Sequence, residues 1–378
     1  MAALSMSNKT GHQPRVWALL GPHRGDNNQI LALAEALGLP FEEKRLEFNQ
    51  LRRLQPGLLG ATFASVEAKS RAQLEGEPPD ITISTGHRSV PVVRELKRRS
   101  GGRTKSVHLG YPRISPRHFD LVVPTPEYPV PDAPNVMRIP FALTPHGARE
   151  VDPADRELVN AYPRPRRLLL IGGPTLYWRL PVKRMLRAVH TLIRHSAWDG
   201  GSVIAVGSPR TPLPVLTAVR QMLESSPAPF LFAPIEGPPG YPALLEAADE
   251  IFVTADSVAM AADAVSTGKP VGFIAIEPSP LGRMVMGAMD RLRPNKRLFP
   301  RDLRFFWATL REQGYWGTMT APVASDPPDY AEQVAERVRQ LFEPPLRPAK
   351  AGRGGGRPKQ SNPAGRGRAR PPVRLAED

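Results

Sequence analysis

Residues 253–274 read VTADSVAMAADAVSTGKPVGFI. Val253 closes the strand predicted over 250–253, apolar from Ile251 on, the small and polar residues Thr254 to Ser257 have the composition of a turn, and the apolar periodicity after them predicts a helix over 257–267. Ser257 or Asp256 supplies its cap, since a short side-chain oxygen there accepts from a helix N–H that has no other acceptor. Met260 and Asp263 are three apart and share a face of that helix. Gly268 stops it, and Lys269 and Pro270 lead into the next strand, over 270–275. Strand, turn, helix, glycine stop and a second wholly apolar strand make one unit of a parallel sheet covered by helices.

The same unit recurs outward from this stretch. In the second half of the chain, strands are predicted at 167–171, 203–206, 229–232 and 250–253, with helices at 182–195, 213–223, 241–248 and 283–289 between and after them. In the first half, strands are predicted at 16–20, 41–46, 80–84, 105–109 and 120–123, with helices at 28–37 and 89–99. Single cores stop growing at roughly 250–300 residues. The 378 residues therefore divide into an N-terminal Rossmann-like domain over 15–145 and a C-terminal one over 160–342, joined by the Pro- and charge-rich stretch 143–166. Residues 343–378 are rich in Gly, Pro and Arg and have almost nothing apolar to bury, which predicts a disordered basic tail.

Composition excludes several chemistries. Without cysteine the chain has no disulfide, thiolate nucleophile or Cys-ligated metal site. The first residues lack a basic start followed by an apolar core, and no run approaches the ~18 apolar residues of a membrane span, so the sequence predicts a cytoplasmic protein. The net charge of +15 is concentrated at one end: nine Lys or Arg and no Asp or Glu lie between Pro344 and Ala376. The folded part is thus only mildly basic. With no recognised nucleic-acid module and no interleaving of aromatic and basic residues, no nucleic-acid partner is expected, whereas peripheral contact with an anionic inner membrane surface is compatible with this charge.

Ligands of open parallel sheets bind outside the carboxyl ends of the strands, so the loops that follow the strands hold the candidate residues. The first strand runs into GPHRGDNNQ, residues 21–29, where Asp26 or Asn27 caps the next helix or, alternatively, Asp26 acts as a base. The third runs into STGHRS, which puts His87 at a helix entrance, either to take a proton from an attacking hydroxyl or to order the loop. In LLLIGGPT, Gly172 and Gly173 permit a close approach to a ligand or simply a sharp turn. In GSPRTP, Ser208, Arg210 and Thr211 suit a phosphate or the edge of a base, although a Pro-punctuated turn with a solvated arginine has the same residues.

Taken in order, GDNNQ, PDITISTGHRS, FDLVVPTPEY, LIGGPT, GSPRTP, YPALLEAADEIFVTADSVAM and TGKPV resemble the mitochondrial fission ELM family and its bacterial glycosyltransferase-like members, over about residues 16–275. The resemblance implies a GT-B architecture, two Rossmann-like domains facing a cleft, with the donor bound mainly by the second. In the GT-B donor signature an acid on the helix precedes Gly-x-Pro by five residues and accepts from the ribose hydroxyls, while the helix N-terminus faces the diphosphate. Asp263, Gly268 and Pro270 keep that spacing, with Asp in place of the commoner Glu. The donor set so implied comprises Gly172, Gly173, Ser208, Arg210, Thr211, Thr254, Asp256, Ser257, Met260, Asp263, Gly268 and Pro270. In the first loop GPHRGD replaces a more acidic Asp-Gly-Lys-Pro-Gly start, which leaves Asp26 and His87 as the catalytic candidates.

The function expected from this resemblance is transfer of a sugar from a nucleoside-diphosphate donor to a cell-envelope acceptor, lipid-linked or saccharide. No DxD motif is visible, and neither a metal nor any cofactor beyond the nucleotide-sugar substrate is expected. The same architecture also serves nucleotide-sugar epimerases, and the plant members of the family are discussed for organelle fission, so an epimerase and a non-catalytic scaffold are the competing readings.

Overall fold

The computed structural model describes residues 13–145, 150–292 and 301–342. In chain order the elements are β1 Val16–Leu20, α1 Arg24–Ala36, β2 Phe41–Arg45, α2 Pro56–Leu59, α3 Ala68–Ala72, β3 Ile81–Thr85, α4 Gly86–Arg99, β4 Lys105–Leu109 and β5 Leu121–Val123. They continue as α5 Pro153–Asn160, β6 Arg166–Ile171, β7 Trp178–Arg179, α6 Val182–Asp199, β8 Ser202–Gly207, α7 Leu213–Glu224, β9 Phe230–Ala233, α8 Tyr241–Ala247, β10 Glu250–Thr254, α9 Val258–Val265, β11 Val271–Ile274 and β12 Glu277–Pro278. Helices α10 Pro280–Leu292, α11 Leu303–Glu312 and α12 Tyr330–Arg339 follow. All the described residues fall within one compact unit, Met1–Phe342. The predicted basic tail lies outside them.

β1 shows why the strands are legible as apolar runs: all five of its residues are buried. Successive side chains point to opposite faces, so Val16, Ala18 and Leu20 join the core shared with α1 and α12, and Trp17 and Leu19 join the one under α4. The first sheet has the order β2-β1-β3-β4-β5 and the second β11-β10-β6-β8-β9, with every pairing inside each parallel. The fold is therefore α/β with two Rossmann-like parallel sheets.

Strand order fixes where ligands go. Each sheet reverses direction once, between β1 and β3 in the first and between β6 and β10 in the second, and the loops leaving those strands part to opposite faces and open a crevice. The stretch 143–166, predicted as a bare connection, contains α5. Asp152 caps that helix, and Arg156 pairs with Glu246 on α8. After the second sheet the chain returns to the first, where Ala331, Val334, Ala335 and Val338 of α12 enter its core and Arg339 donates to the Ala36 carbonyl at 2.7 Å.

Candidate functional site

In the first crevice, the loop after β1 is shaped by Asn27. Its Oδ1 accepts from the Gly21 N–H at 2.8 Å and its Nδ2 donates to the Gly21 carbonyl at 2.9 Å. The capping expected of Asp26 or Asn27 is therefore not found: the N-cap position of α1 is His23, with no side-chain cap bond. Asn27 clamps the loop, and Asp26 is left facing a cavity of about 160 Å³ that is also lined by His23, His87 and Arg88. Burial pushes the Asp26 carboxyl up, against the opposing effect of His23, Arg301 and Arg88. His87 is held down to about 4, by burial first and then by Arg113 and Arg88. An imidazole so shifted is uncharged at neutral pH, and with Asp26 it gives this cavity two proton acceptors. Below them His108 is fully buried, with its Nδ1 3.0 Å from the Ser84 hydroxyl and its ring against Phe119. Burial holds it down to about 3.

In the second crevice a chain of bonds joins the loops after β6, β8 and β10. The Gly172 N–H donates to Thr254 Oγ1 at 2.7 Å, Thr254 donates in turn to Asp256 Oδ1 at 2.7 Å, and the Gly173 N–H donates to Asp256 Oδ2 at 2.9 Å. Thr211 Oγ1 lies 2.7 Å from the carbonyls of Ile171 and Gly172 and accepts from the Ser208 N–H. Thr254 and Asp256 are both 0% exposed. The side chains of Thr211, Thr254 and Asp256, all expected at the donor, are turned inward here and brace the loops. The two glycines likewise make room for protein. A Cβ on Gly172 would lie 2.3 Å from Asp256 Oδ2, and one on Gly173 2.2 Å from the Arg210 carbonyl oxygen.

Arg210 is exposed, and reaches the Gly173 carbonyl at 3.3 Å and Asp256 Oδ2 at 3.2 Å. Its remaining donors stay available at the mouth of the crevice. The cap of α9 is Ser257, which accepts from the Met260 N–H at 3.4 Å; Asp256 does not cap it. Asp263 lies about 9 Å along α9 from that cap, at 1.5 Å per residue. It lines a larger cavity, of about 480 Å³, together with Thr144, Ser266, Lys269 and Tyr330. Gly268 takes φ +73° to end α9, and the Pro270 carbonyl accepts from the Ile251 N–H at 2.9 Å, so both serve the turn into β11. The donor candidates thus divide between a braced loop cluster at the N-terminus of α9 and a second wall further along the same helix.

The two crevices face each other. A Cβ on Gly25, in the first turn of α1, would touch the Ala259 Cβ of α9 at 3.7 Å. Between them Arg301, at the entrance to α11, donates to the Asp256 carbonyl at 3.1 Å and lies 3.8 Å from Glu127, in the loop after β5. Sequence reading missed Glu127, Tyr128 and Arg301. An acid set between prolines just after a strand, in TPEYP, was the available signal for the first; nothing local marks Arg301. Among the described residues no group of three or more acidic or histidine side chains could hold a metal ion, and no helix is long and apolar enough to cross a membrane.

A family model described as mitochondrial fission ELM1 matches residues 24–342. The mitochondrial fission protein ELM1 of Arabidopsis thaliana is 26% identical over 240 residues, 57% of this chain and 56% of that protein. The match thus spans just over half the relative's length. Among solved structures, MurG of Acinetobacter baumannii is similar with a TM-score of 0.43 and 15% identity, over 87% of this chain and 92% of its own. A UDP-GlcNAc 2-epimerase of Methanocaldococcus jannaschii gives 0.48 and 11%, over 86% and 99%. Heptosyltransferase II of E. coli gives 0.40 and 14%, over 68% and 84%. These likenesses concern the fold alone.

Proposed function

From the premise that this chain belongs to the mitochondrial fission ELM1 family, we propose that it binds a nucleoside-diphosphate sugar in the cleft between its two sheets and transfers the sugar to a hydroxyl acceptor. One observation carries this reading: the first turns of α1 and α9 meet, with Gly25 against Ala259, so the Ser257-capped start of α9 stands beside the loop whose Asp26 shares a cavity with His87. The diphosphate sits at the α9 N-terminus, where the helix dipole and the open donors of Arg210 favour an anion. Asp263, further along the helix, meets the ribose. The acceptor oxygen bonds to the anomeric carbon as the bond from that carbon to the diphosphate oxygen breaks. The acceptor proton passes to Asp26 or His87, and the charge left on the diphosphate is taken by the helix terminus and Arg210.

The test is a melting screen of purified protein against UDP, GDP, ADP and dTDP and their sugars, with Asp263→Ala beside the wild type. A ligand at 100 times its Kd stabilises by about 2.7 kcal/mol, which amounts to several degrees, and Asp263→Ala is expected to lose most of that shift. A wild type that responds to no nucleotide would remove the transferase and the epimerase together and leave a scaffold.

A lipid-linked or saccharide precursor of the cell envelope is the acceptor we propose, met at an anionic membrane surface on the cytoplasmic side. The support is local: Leu51, Leu54 and Leu58 are 40%, 45% and 80% exposed, with the exposed Arg52 and Arg53 among them. They follow β2 on the side of its carboxyl end, where the cavity of Asp26 and His87 opens. Exposed leucines among arginines suit an interface of acyl chains and anionic head groups. Replacing all three leucines with serine is expected to reduce sedimentation with phosphatidylglycerol vesicles about tenfold and to shift stability by no more than about 0.5 kcal/mol per site. Equal sedimentation of variant and wild type would sink the membrane assignment.

A further inference from the structure

The loop after β5 carries a carboxylate that the steps above do not use. Glu127 is 2% exposed, and its Oε1 stands 3.8 Å from Arg301 Nε, beyond hydrogen-bond reach. Glu127 Oε2 and Arg301 Nε are both buried and, among the described residues, have no hydrogen-bond partner. Neither group is loosely placed. Arg301 donates from Nη2 to the Asp256 carbonyl at 3.1 Å, which fixes the guanidinium at the turn into α9. The Asp302 N–H donates to the Glu127 carbonyl at 2.8 Å, and the Trp307 indole donates to the Ala255 carbonyl at 2.7 Å, so the start of α11 is tied to both walls of the cleft.

Glu127 and Arg301 pair by charge but share no hydrogen bond, and a buried carboxylate oxygen and guanidinium Nε left without one are costly unless a third group satisfies both. That group must offer acceptor oxygens to the guanidinium and a hydroxyl to the carboxylate, and it must reach the first turn of α9. A phosphoryl group bonded to a sugar has this chemistry: its oxygens suit arginine and helix N–H groups, and a ring hydroxyl a few bonds away donates. Burial works against the charge of Arg301, but Tyr128, Glu127, Asp256 and Asp26 nearby hold its guanidinium above the usual arginine range. Burial pushes the Glu127 carboxyl up against the opposing pull of Arg301, and in either protonation state an oxygen remains to accept from a hydroxyl.

Resting on the nucleotide-sugar reading, we propose that Arg301 and Glu127 form the sugar-phosphate subsite of the cleft: Arg301 binds the phosphoryl group attached to the anomeric carbon, and Glu127 accepts a hydrogen bond from a hydroxyl of the transferred sugar. Arg301 is then an affinity residue for any nucleoside diphosphate. Glu127 is a specificity residue felt only when the sugar is present.

Calorimetric titration separates the two roles, with UDP, GDP, ADP and dTDP each used alone and as the glucose, mannose or N-acetylglucosamine conjugate. Arg301→Met is expected to weaken free and sugar-bearing diphosphate alike at least tenfold, and Arg301→Lys to recover part of this. Glu127→Met is expected to leave the free diphosphate within about twofold and to weaken the conjugate at least fivefold, with Glu127→Gln, which keeps an acceptor oxygen, lying between. Melts without ligand establish that each variant is folded, and a purely structural Glu127 would move both ligands by the same factor. That equal factor, or wild-type affinity in Arg301→Met, overturns the subsite while leaving the donor site in place. A wild type that binds none of the probes overturns the donor site and the subsite together.

Discussion

Replacing Asp256 with alanine is expected to destabilise the protein by on the order of 3 kcal/mol and to lower its melting temperature by roughly 4 °C. The carboxylate is 0% exposed and accepts from the Gly173 N–H, the Thr254 hydroxyl and the Arg210 guanidinium. Alanine leaves the first two buried without an acceptor, at about 1–3 kcal/mol each, whereas Arg210 can turn to water and adds little. Asp256→Asn keeps one carbonyl oxygen but presents an NH₂ to a donor, so it should fall between alanine and the wild type. The consequence for function follows from geometry. Asp256 holds the loop after β6 against the turn into α9, so nucleotide binding should weaken in step with stability although Asp256 is itself buried. Thermal melts with and without the nucleotide found by the screen check both. An alanine variant that melts within about one degree of wild type would show that the network is not what organises this crevice.

The sheets were legible because a parallel strand covered on both faces has no polar side to hide. β1 and β4 have the predicted limits, and β6, β8, β9 and β10 differ from theirs by about a residue. Short or Pro-rich elements were not. α5 starts at Pro153 behind the Asp152 cap, a start signal that the surrounding charges and prolines obscured. The two-residue strands β7 and β12 exist because they pair with each other across the chain, which no local pattern encodes. The helix α12 is amphipathic, but that its apolar face meets α1 in the first sheet is a tertiary fact.

The candidate site divides along the same line. Position at a strand's carboxyl end is a property of local sequence, so the loops around Asp26, His87, Gly172, Ser208 and Thr254 could be named. Whether a side chain on such a loop points outward or inward depends on what packs behind it. Ser257 and Asp256 are adjacent, and only the structure shows that the first caps α9 while the second turns into the core. That Glu127 and Arg301, distant in the chain, come within 3.8 Å of each other has no local signature, even though TPEYP marks the first of them.

The glycines of LLLIGGPT offer the sharpest discrimination between a loop shaped for a ligand and one shaped for its own carboxylate. A Cβ at Gly172 would lie 2.3 Å from Asp256 Oδ2 and 2.4 Å from Oδ1. Those oxygens cannot swing away without abandoning Gly173 and Thr254, so Gly172→Ala is expected to cost roughly 3 kcal/mol by crowding and lost bonds together. With Asp256 already replaced by alanine the obstacle is gone, and the same substitution should cost about 1 kcal/mol or less. The double variant should therefore be more stable than additivity predicts, with a coupling of about 2 kcal/mol. Gly173 is the internal control: its Cβ would meet the Arg210 carbonyl oxygen at 2.2 Å, which is main chain and stays in place when Asp256 is shortened. Gly173→Ala should retain most of its cost in the Asp256→Ala background. Denaturant melts of the single and double variants give all the terms. If the costs of Gly172→Ala and Asp256→Ala add within about 0.5 kcal/mol, the glycine is not there for the carboxylate, and close approach of a ligand becomes the better explanation of why the position is open.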